Sequence, residues 1–205
     1  MTVVDKTGVL ARLGSTPVSI ELGCGPAKVD PTAIGLDLID LPGVDLVGDV
    51  FEALAQFPVG SVSKVYSAHF FEHVGDVPRL LEAIARVLAP NGVMETVVPH
   101  FSNPYFYSDY THRAFFGLYT FSYFSEETIF ARKVPKYGQL CRFKLIKVDL
   151  VFKSSKPFWV RHIMKRVLGT IFNATAFLQE FYEENFAYWF PCYEIRYVVQ
   201  RNEVA

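Results

Sequence analysis

Cysteine is scarce and scattered. Cys24, Cys141 and Cys192 are the only three, and they show no short-range spacing, which excludes a disulfide framework or a zinc knuckle and suits a reducing cytoplasm. Long apolar runs are missing as well. None reaches the roughly 18–20 residues needed to span a bilayer, and the basic start plus apolar core of a signal peptide is not seen at the N-terminus. Neither sign of charge dominates. A formal net charge of −1 leaves no basic excess for phosphates, which argues against a general nucleic-acid binder. Internal repeats and low-complexity linkers are absent too, so residues 1–205 are expected to form a single domain with insertions.

What is present is apolar and periodic. A hydrophobic content of 51% suffices for a substantial core. Short apolar runs at 18–22, 33–37, 44–47, 62–66 and 93–98 predict strands, and 143–152 and 193–200 predict two more. Leu80, Leu81, Ile84, Val87 and Leu88 share one face of a helix expected over 77–89, which Pro90-Asn91-Gly92 should stop. Residues 1–16 are expected to be a short leader or helix covering one edge, and 153–191 mainly helical. Strands alternating with helices imply a mostly parallel sheet covered on both faces, an α/β fold.

The most informative stretch is Ile20-Glu21-Leu22-Gly23-Cys24-Gly25, an apolar strand ending in an acid and followed by a glycine turn. A second apolar run ends at Asp37, and a third near Asp49. This order describes a nucleoside-binding crevice, in which glycines admit close backbone approach and an acid accepts from the ribose hydroxyls. Further on stands Arg86-Val87-Leu88-Ala89-Pro90-Asn91-Gly92. Together these motifs resemble the class I S-adenosylmethionine-dependent methyltransferases, closely over residues 18–100 and loosely beyond. The resemblance implies a Rossmann-like, seven-stranded sheet with its last strand antiparallel, a cofactor core at 17–100, and S-adenosylmethionine as cofactor. It implies cofactor contacts from Glu21, Gly23, Cys24, Gly25, Asp37, Leu38, Asp49, Val50 and His69. Two departures stand out: Ala27 replaces the third glycine, and the space from Gly25 to Ile34 is too short for a full crossover helix. A generic Rossmann-like domain for another nucleotide is the alternative.

Four of the five histidines follow strand ends or the adjoining insertion: His69, His73, His100 and His112. Ligands in open α/β sheets sit outside the carboxyl ends of strands, so these four can face one crevice. Methyl transfer needs an aligned acceptor and a base of near-neutral pKa. Asp109-Tyr110-Thr111-His112-Arg113 resembles a segment found after the fifth strand in a subgroup of these enzymes, which points to His112 as base, with Asp109 and His73 in support. Arg113, His100, Tyr105, Tyr107 and Tyr110 are the candidate acceptor contacts. His69-Phe70-Phe71-Glu72-His73 also matches H-x-x-E-H, a zinc hydrolase pattern if helical; the methyltransferase turn accounts for its neighbours better, and no metal is expected.

Eleven aromatics crowd residues 101–124, enough for a satellite core or an acceptor pocket in an insertion at 101–130. A helical insertion is expected at 153–192, where apolar pairs at Trp159/Val160, Ile163/Met164, Val167/Leu168 and Ile171/Phe172 alternate with Arg161, His162, Lys165 and Arg166. Such a basic amphipathic helix packs its stripe on the sheet or on a second subunit, or lies on anionic lipid at the inner face of the membrane. The subgroup resemblance, extended by Phe186-Ala187-Tyr188-Trp189-Phe190-Pro191, implies a methyltransferase of bacterial surface-glycan assembly acting on a sugar hydroxyl. The alternative is a non-catalytic cofactor-binding module.

Overall fold

The computed structural model describes residues 2–127, 129–138, 142–154 and 158–203; Cys141 and Lys156 lie outside them. Strands β1 (Val4–Asp5), β2 (Val18–Leu22), β3 (Ile34–Asp37), β4 (Leu46–Val47), β5 (Val62–Ala68), β6 (Leu88–Pro99), β7 (Phe143–Val151) and β8 (Glu194–Arg201) form one sheet. Their spatial order is β1-β4-β3-β2-β5-β6-β8-β7. The strands from β4 to β6 in that order run parallel, whereas β8 is antiparallel to both β6 and β7. This is the Rossmann-like methyltransferase fold. The chain reverses direction on either side of β2, and the carboxyl ends of β2, β3 and β5 open there into a crevice.

Two local expectations change, and a third, the short first crossover, holds. The sheet has eight strands rather than seven, because Val4 and Asp5 pair antiparallel with Val47 and Leu46. Two residues are too few to show a period, so no pattern announces this strand. Asp5 then accepts from the amides of Val9 and Leu10, which turns the chain away from the edge. Strand β6 begins at Leu88, immediately after helix α2 (Val77–Val87), and Pro90-Asn91-Gly92 falls inside it as an irregularity with Asn91 at φ 62°. Between β2 and β3 there is no crossover helix. The buried Glu21 carboxylate accepts from the Val29 amide at 2.9 Å and braces this loop instead.

Helix α2 begins at Asp76, which caps the Arg79 amide at 3.0 Å, and it buries Leu80, Leu81, Ile84, Ala85 and Val87 on the sheet. Arg86 leaves the same helix to donate to the carbonyls of Leu54 and Phe57, at the end of helix α1 (Val50–Ala55). That contact gives the Arg-Val-Leu motif a structural role, since it ties two helices on one face of the sheet.

Beyond β6 the insertion folds as turns rather than regular helix. Phe106, Phe116 and Phe121 are buried, whereas Tyr107, Tyr110 and Phe115 remain exposed, so the aromatics divide between core and surface. Helices α3 (Trp159–Phe172) and α4 (Ala176–Asn185) lie between β7 and β8. Helix α3 docks through Lys165, Gly169 and Phe172, not through its apolar stripe. Lys165 Nζ donates to the Pro191 carbonyl at 2.6 Å, and Gly169 sits on the ring of Phe152. The stripe of Trp159, Val160, Ile163, Met164, Val167 and Ile171 is consequently left exposed.

Candidate active site

The crevice beyond β2 and β3 has a volume of about 550 Å³. That is within the usual range for cofactor sites. Gly23 opens it. This residue has φ 64°, and a Cβ there would stand 2.7 Å from Cδ2 of Phe70, so only glycine lets the turn and the Phe70 ring share the space. On one side lie Asp37, Asp49, Val50 and Phe51; on the other lie His69, Phe70 and His73. Leu38 and Ile39 form an apolar wall and are each 62% exposed, an arrangement suited to covering a planar base.

The two acids have complementary preparation. Asp37 accepts from the Gly25 amide through Oδ2 at 2.9 Å and from the Ile39 amide through Oδ1 at 3.0 Å. Each oxygen retains a second lone pair, so a braced carboxylate can still accept from two ribose hydroxyls. Asp49 uses only Oδ1 to cap α1, accepting from the Phe51 and Glu52 amides, and Oδ2 accepts no hydrogen bond among the described residues. It is therefore available to an adenine amino group.

Of the nine residues expected to meet the cofactor, Gly23, Asp37, Leu38, Asp49, Val50 and His69 line this crevice. Glu21, Cys24 and Gly25 do not. Glu21 lines a separate hollow with Lys64 and Arg196, where its own work is to hold the loop. Cys24 points into a small cluster with Val44 and Val47, and burial pushes its thiol up to about 11. Gly25 contributes its amide to Asp37.

His69 sits at φ 54°, a left-handed conformation rare for a side chain of this size, held by its own amide donating to the Val97 carbonyl. Its Nε2 lies 3.0 Å from Glu194 and its Nδ1 3.4 Å from Glu72. The hydrogen bonds to Glu194 and then Glu72 raise its pKa to about 9, so it is an imidazolium at neutral pH and not a base. Glu194 also takes Lys153 Nζ at 2.6 Å. The sequence places neither Glu194 nor Lys153 at the crevice: Lys153 reads only as a basic residue ahead of the amphipathic helix, and β8 carries no motif. The helical H-x-x-E-H geometry does not form: only Phe71–His73 makes a single 3-10 turn, and His69 lies outside it.

The expected catalytic trio is brought together. The Thr111 hydroxyl donates to Asp109 Oδ1 at 2.6 Å, and its oxygen lies 2.9 Å from His73 Nδ1. His112 Nδ1 lies 2.9 Å from the Phe106 carbonyl, and its ring is 4.9 Å from that of His73. Asp109 Oδ2 is 3.6 Å from His112 Nε2. Hydrogen bonds from the Thr111 hydroxyl and amide hold the Asp109 carboxyl below its ordinary range. Arg113 and Ala114 seat this segment, since both amides donate to the Glu72 carbonyl.

The five expected acceptor contacts separate. Arg113 is exposed beside Gly75, which lines the crevice. Tyr110 is 96% exposed, and Tyr107 is exposed while donating its hydroxyl to the Phe101 carbonyl. Tyr105 belongs to a different hollow, with Lys153 and Tyr193. His100 is fully buried, with Nδ1 against Ser102 and Nε2 3.1 Å from Glu183; it ties the insertion to α4 and is not open to a ligand.

Residues 10–95 match a family described as the methyltransferase domain. No curated protein matches the chain. Among solved structures, the fold is similar to a SAM-dependent methyltransferase from Archaeoglobus fulgidus, at 16% identity over 94% of this chain and 93% of that one, with a TM-score of 0.57. It is similar to the YcgJ protein of Bacillus subtilis at 15% identity, 97% and 98% coverage, and a TM-score of 0.55. The phosphoethanolamine N-methyltransferase 2 of Haemonchus contortus, solved with S-adenosyl-L-methionine, is similar at 14% identity over 95% of this chain and 51% of that one, with a TM-score of 0.50. A braced ribose acid, a second acid with a free oxygen and a glycine that admits the ligand's approach all fit an adenosyl group. Residues 10–95 therefore match a methyltransferase domain within a Rossmann-like methyltransferase fold, and the crevice they build has the acids and the glycine that suit an adenosyl group.

Proposed function

We propose that the chain transfers a methyl group from S-adenosylmethionine to an oxygen of a sugar or glycan acceptor. The observation that carries this reading is the convergence of His73, Asp109 and His112 beside the crevice. S-adenosylmethionine, when bound, supplies an electrophilic methyl group on a sulfonium. The residues have only to align an acceptor and receive its proton. With Nδ1 donating to the Phe106 carbonyl, Nε2 is the nitrogen of His112 that can receive the acceptor's proton. The exposed rings of Tyr107, Tyr110 and Phe115 supply flat faces to a sugar ring, and Arg113 suits an anionic group on the acceptor. His112→Ala should abolish transfer to glycan acceptors and leave S-adenosylhomocysteine affinity nearly intact. An active variant ends the assignment of the base. Cofactor binding without transfer to any glycan acceptor would favour a non-catalytic module.

A contact with anionic lipid follows from helix α3. Among the described residues no helix is long and apolar enough to cross a membrane. Yet α3 turns Trp159, Val160, Ile163, Met164, Val167 and Ile171 outward. No acidic residue occurs from 153 through 179, and Arg161 and Arg166 stand exposed on the helix. Charge of one sign beside an apolar stripe favours an anionic bilayer over a second copy, which would oppose like charges. The chain would then work on a lipid-linked acceptor at the inner face of the membrane. Flotation with phosphatidylglycerol vesicles tests this: wild type should float at low salt, and Ile163→Glu with Val167→Glu should not. A wild-type chain that stays with the soluble fraction, or self-associates as a homodimer through this face, removes the lipid reading.

A further inference from the structure

We propose that Glu72, His73 and His112 form a binding site for a divalent first-row transition-metal cation at the acceptor side of the crevice. One donor atom from each lies within 4.8 Å of the other two. Two imidazoles and a carboxylate suit borderline cations such as Mn²⁺, Co²⁺ and Zn²⁺ better than Ca²⁺ or Mg²⁺, which favour oxygen ligands.

The surroundings hold both rings in the state a cation needs. Because the Thr111 hydroxyl gives its hydrogen to Asp109, its oxygen accepts from His73 Nδ1. His112 Nδ1 likewise donates to the Phe106 carbonyl. In the neutral form of each ring the proton then sits on Nδ1, which leaves Nε2 as the atom that can bind a cation. The His112 ring is also wedged between those of Phe106, 4.6 Å away, and His73.

Glu72 points to a ligand independently. Its side chain has no solvent exposure, and neither carboxylate oxygen accepts a hydrogen bond among the described residues. Its one close cationic neighbour among the described residues is His69, whose Nδ1 lies 3.4 Å away while its Nε2 pairs with Glu194 at 3.0 Å. Both oxygens therefore keep lone pairs that a metal cation could take beside the His69 pair. The zinc pattern in the sequence named His69 and His73; the fold replaces His69 with His112, because the Glu72 carbonyl draws in the amides of Arg113 and Ala114.

The role of such a cation rests on the proposed transfer to oxygen; the site itself does not. A cation here would bind the acceptor hydroxyl and lower its pKa. With the cation bound, His112 Nε2 is a ligand in place of its role as base in the metal-free chain, and the hydroxyl proton leaves to solvent. The acceptor oxygen forms its bond to the methyl carbon as the carbon–sulfur bond breaks, and that electron pair stays on sulfur.

The test is Mn²⁺ binding to the full chain, read by electron paramagnetic resonance, beside calorimetry with S-adenosylhomocysteine. One Mn²⁺ should bind per chain. Binding should fall by more than about tenfold in His73→Ala and Glu72→Gln, fall by about 10–100-fold in Thr111→Ala, and be kept in His162→Ala. His73 is exposed, so its variant stays informative if Glu72→Gln fails to fold. No stoichiometric Mn²⁺ on a folded chain, or binding unchanged in both ligand variants, overturns the proposal. Loss of S-adenosylhomocysteine binding by the wild-type chain would instead overturn the cofactor assignment, while the Mn²⁺ result would still decide the metal site.

Discussion

Asp37→Ala separates cofactor binding from folding. In the native crevice this carboxylate is held by the amides of Gly25 and Ile39 and has capacity for two ribose hydroxyls. Hydrogen bonds to a charged group contribute about 1.5–3 kcal/mol each. Losing two from the complex therefore costs about 3–6 kcal/mol, or about 10²- to 10⁴-fold in affinity. The free protein loses less, because Ile39 is exposed and its amide can turn to water. About 1 kcal/mol lowers the melting temperature of a chain this long by about 2–4 °C. Calorimetry with S-adenosylhomocysteine gives the first quantity and a thermal melt gives the second. Asp40→Ala is the control, since Asp40 is exposed and pairs with Lys6 outside the crevice. An Asp37→Ala protein that melts normally and binds within about threefold of wild type would refute the ribose assignment.

Other consequences can be read from stability. Gly23→Ala should cost about 1–2 kcal/mol for the left-handed backbone and about 1–3 kcal/mol for the clash with Phe70; an unchanged denaturation midpoint would show that Phe70 yields freely. Lys165 is buried and donates to backbone carbonyls, and burial lowers its pKa. Lys165→Met should stay within about 1.5 kcal/mol of wild type because it preserves volume, whereas Lys165→Ala should lose about 2–4 kcal/mol to a cavity; equal urea midpoints for the two variants would contradict this. For Asp45, burial raises the pKa, but hydrogen bonds from Lys28, Gly35 and Thr7 outweigh it and the net shift is downward. A depressed folded pKa means stability that is present above the unfolded value and lost as pH falls through the folded one. Denaturation midpoints should therefore drop below about pH 4 in wild type, less steeply in Asp45→Asn; parallel curves would sink the argument.

The chain's local patterns determine the frame of this protein. The apolar runs of strands β2, β3 and β4 are ended or followed by a glycine or an acid, and ligands collect at such ends, so Gly23, Asp37 and Asp49 were legible from the sequence. Helix α2 was equally plain from its 3.6-residue period. Other features depend on which surfaces meet. Glu21 follows the strand motif faithfully, yet its side chain turns to a separate hollow. The stripe on α3 has an ordinary amphipathic spacing; Lys165 reaching the Pro191 carbonyl decides that this stripe faces outward. His73 and His112 meet because an irregular segment, with no period to read, donates two amides to the Glu72 carbonyl. Side-chain alternation and helical period are properties of neighbouring residues and survive in a one-dimensional string. The pairing of Glu194 with His69, and the approach of His112 to Glu72 and His73, come from strand order and loop return, which only the folded chain defines.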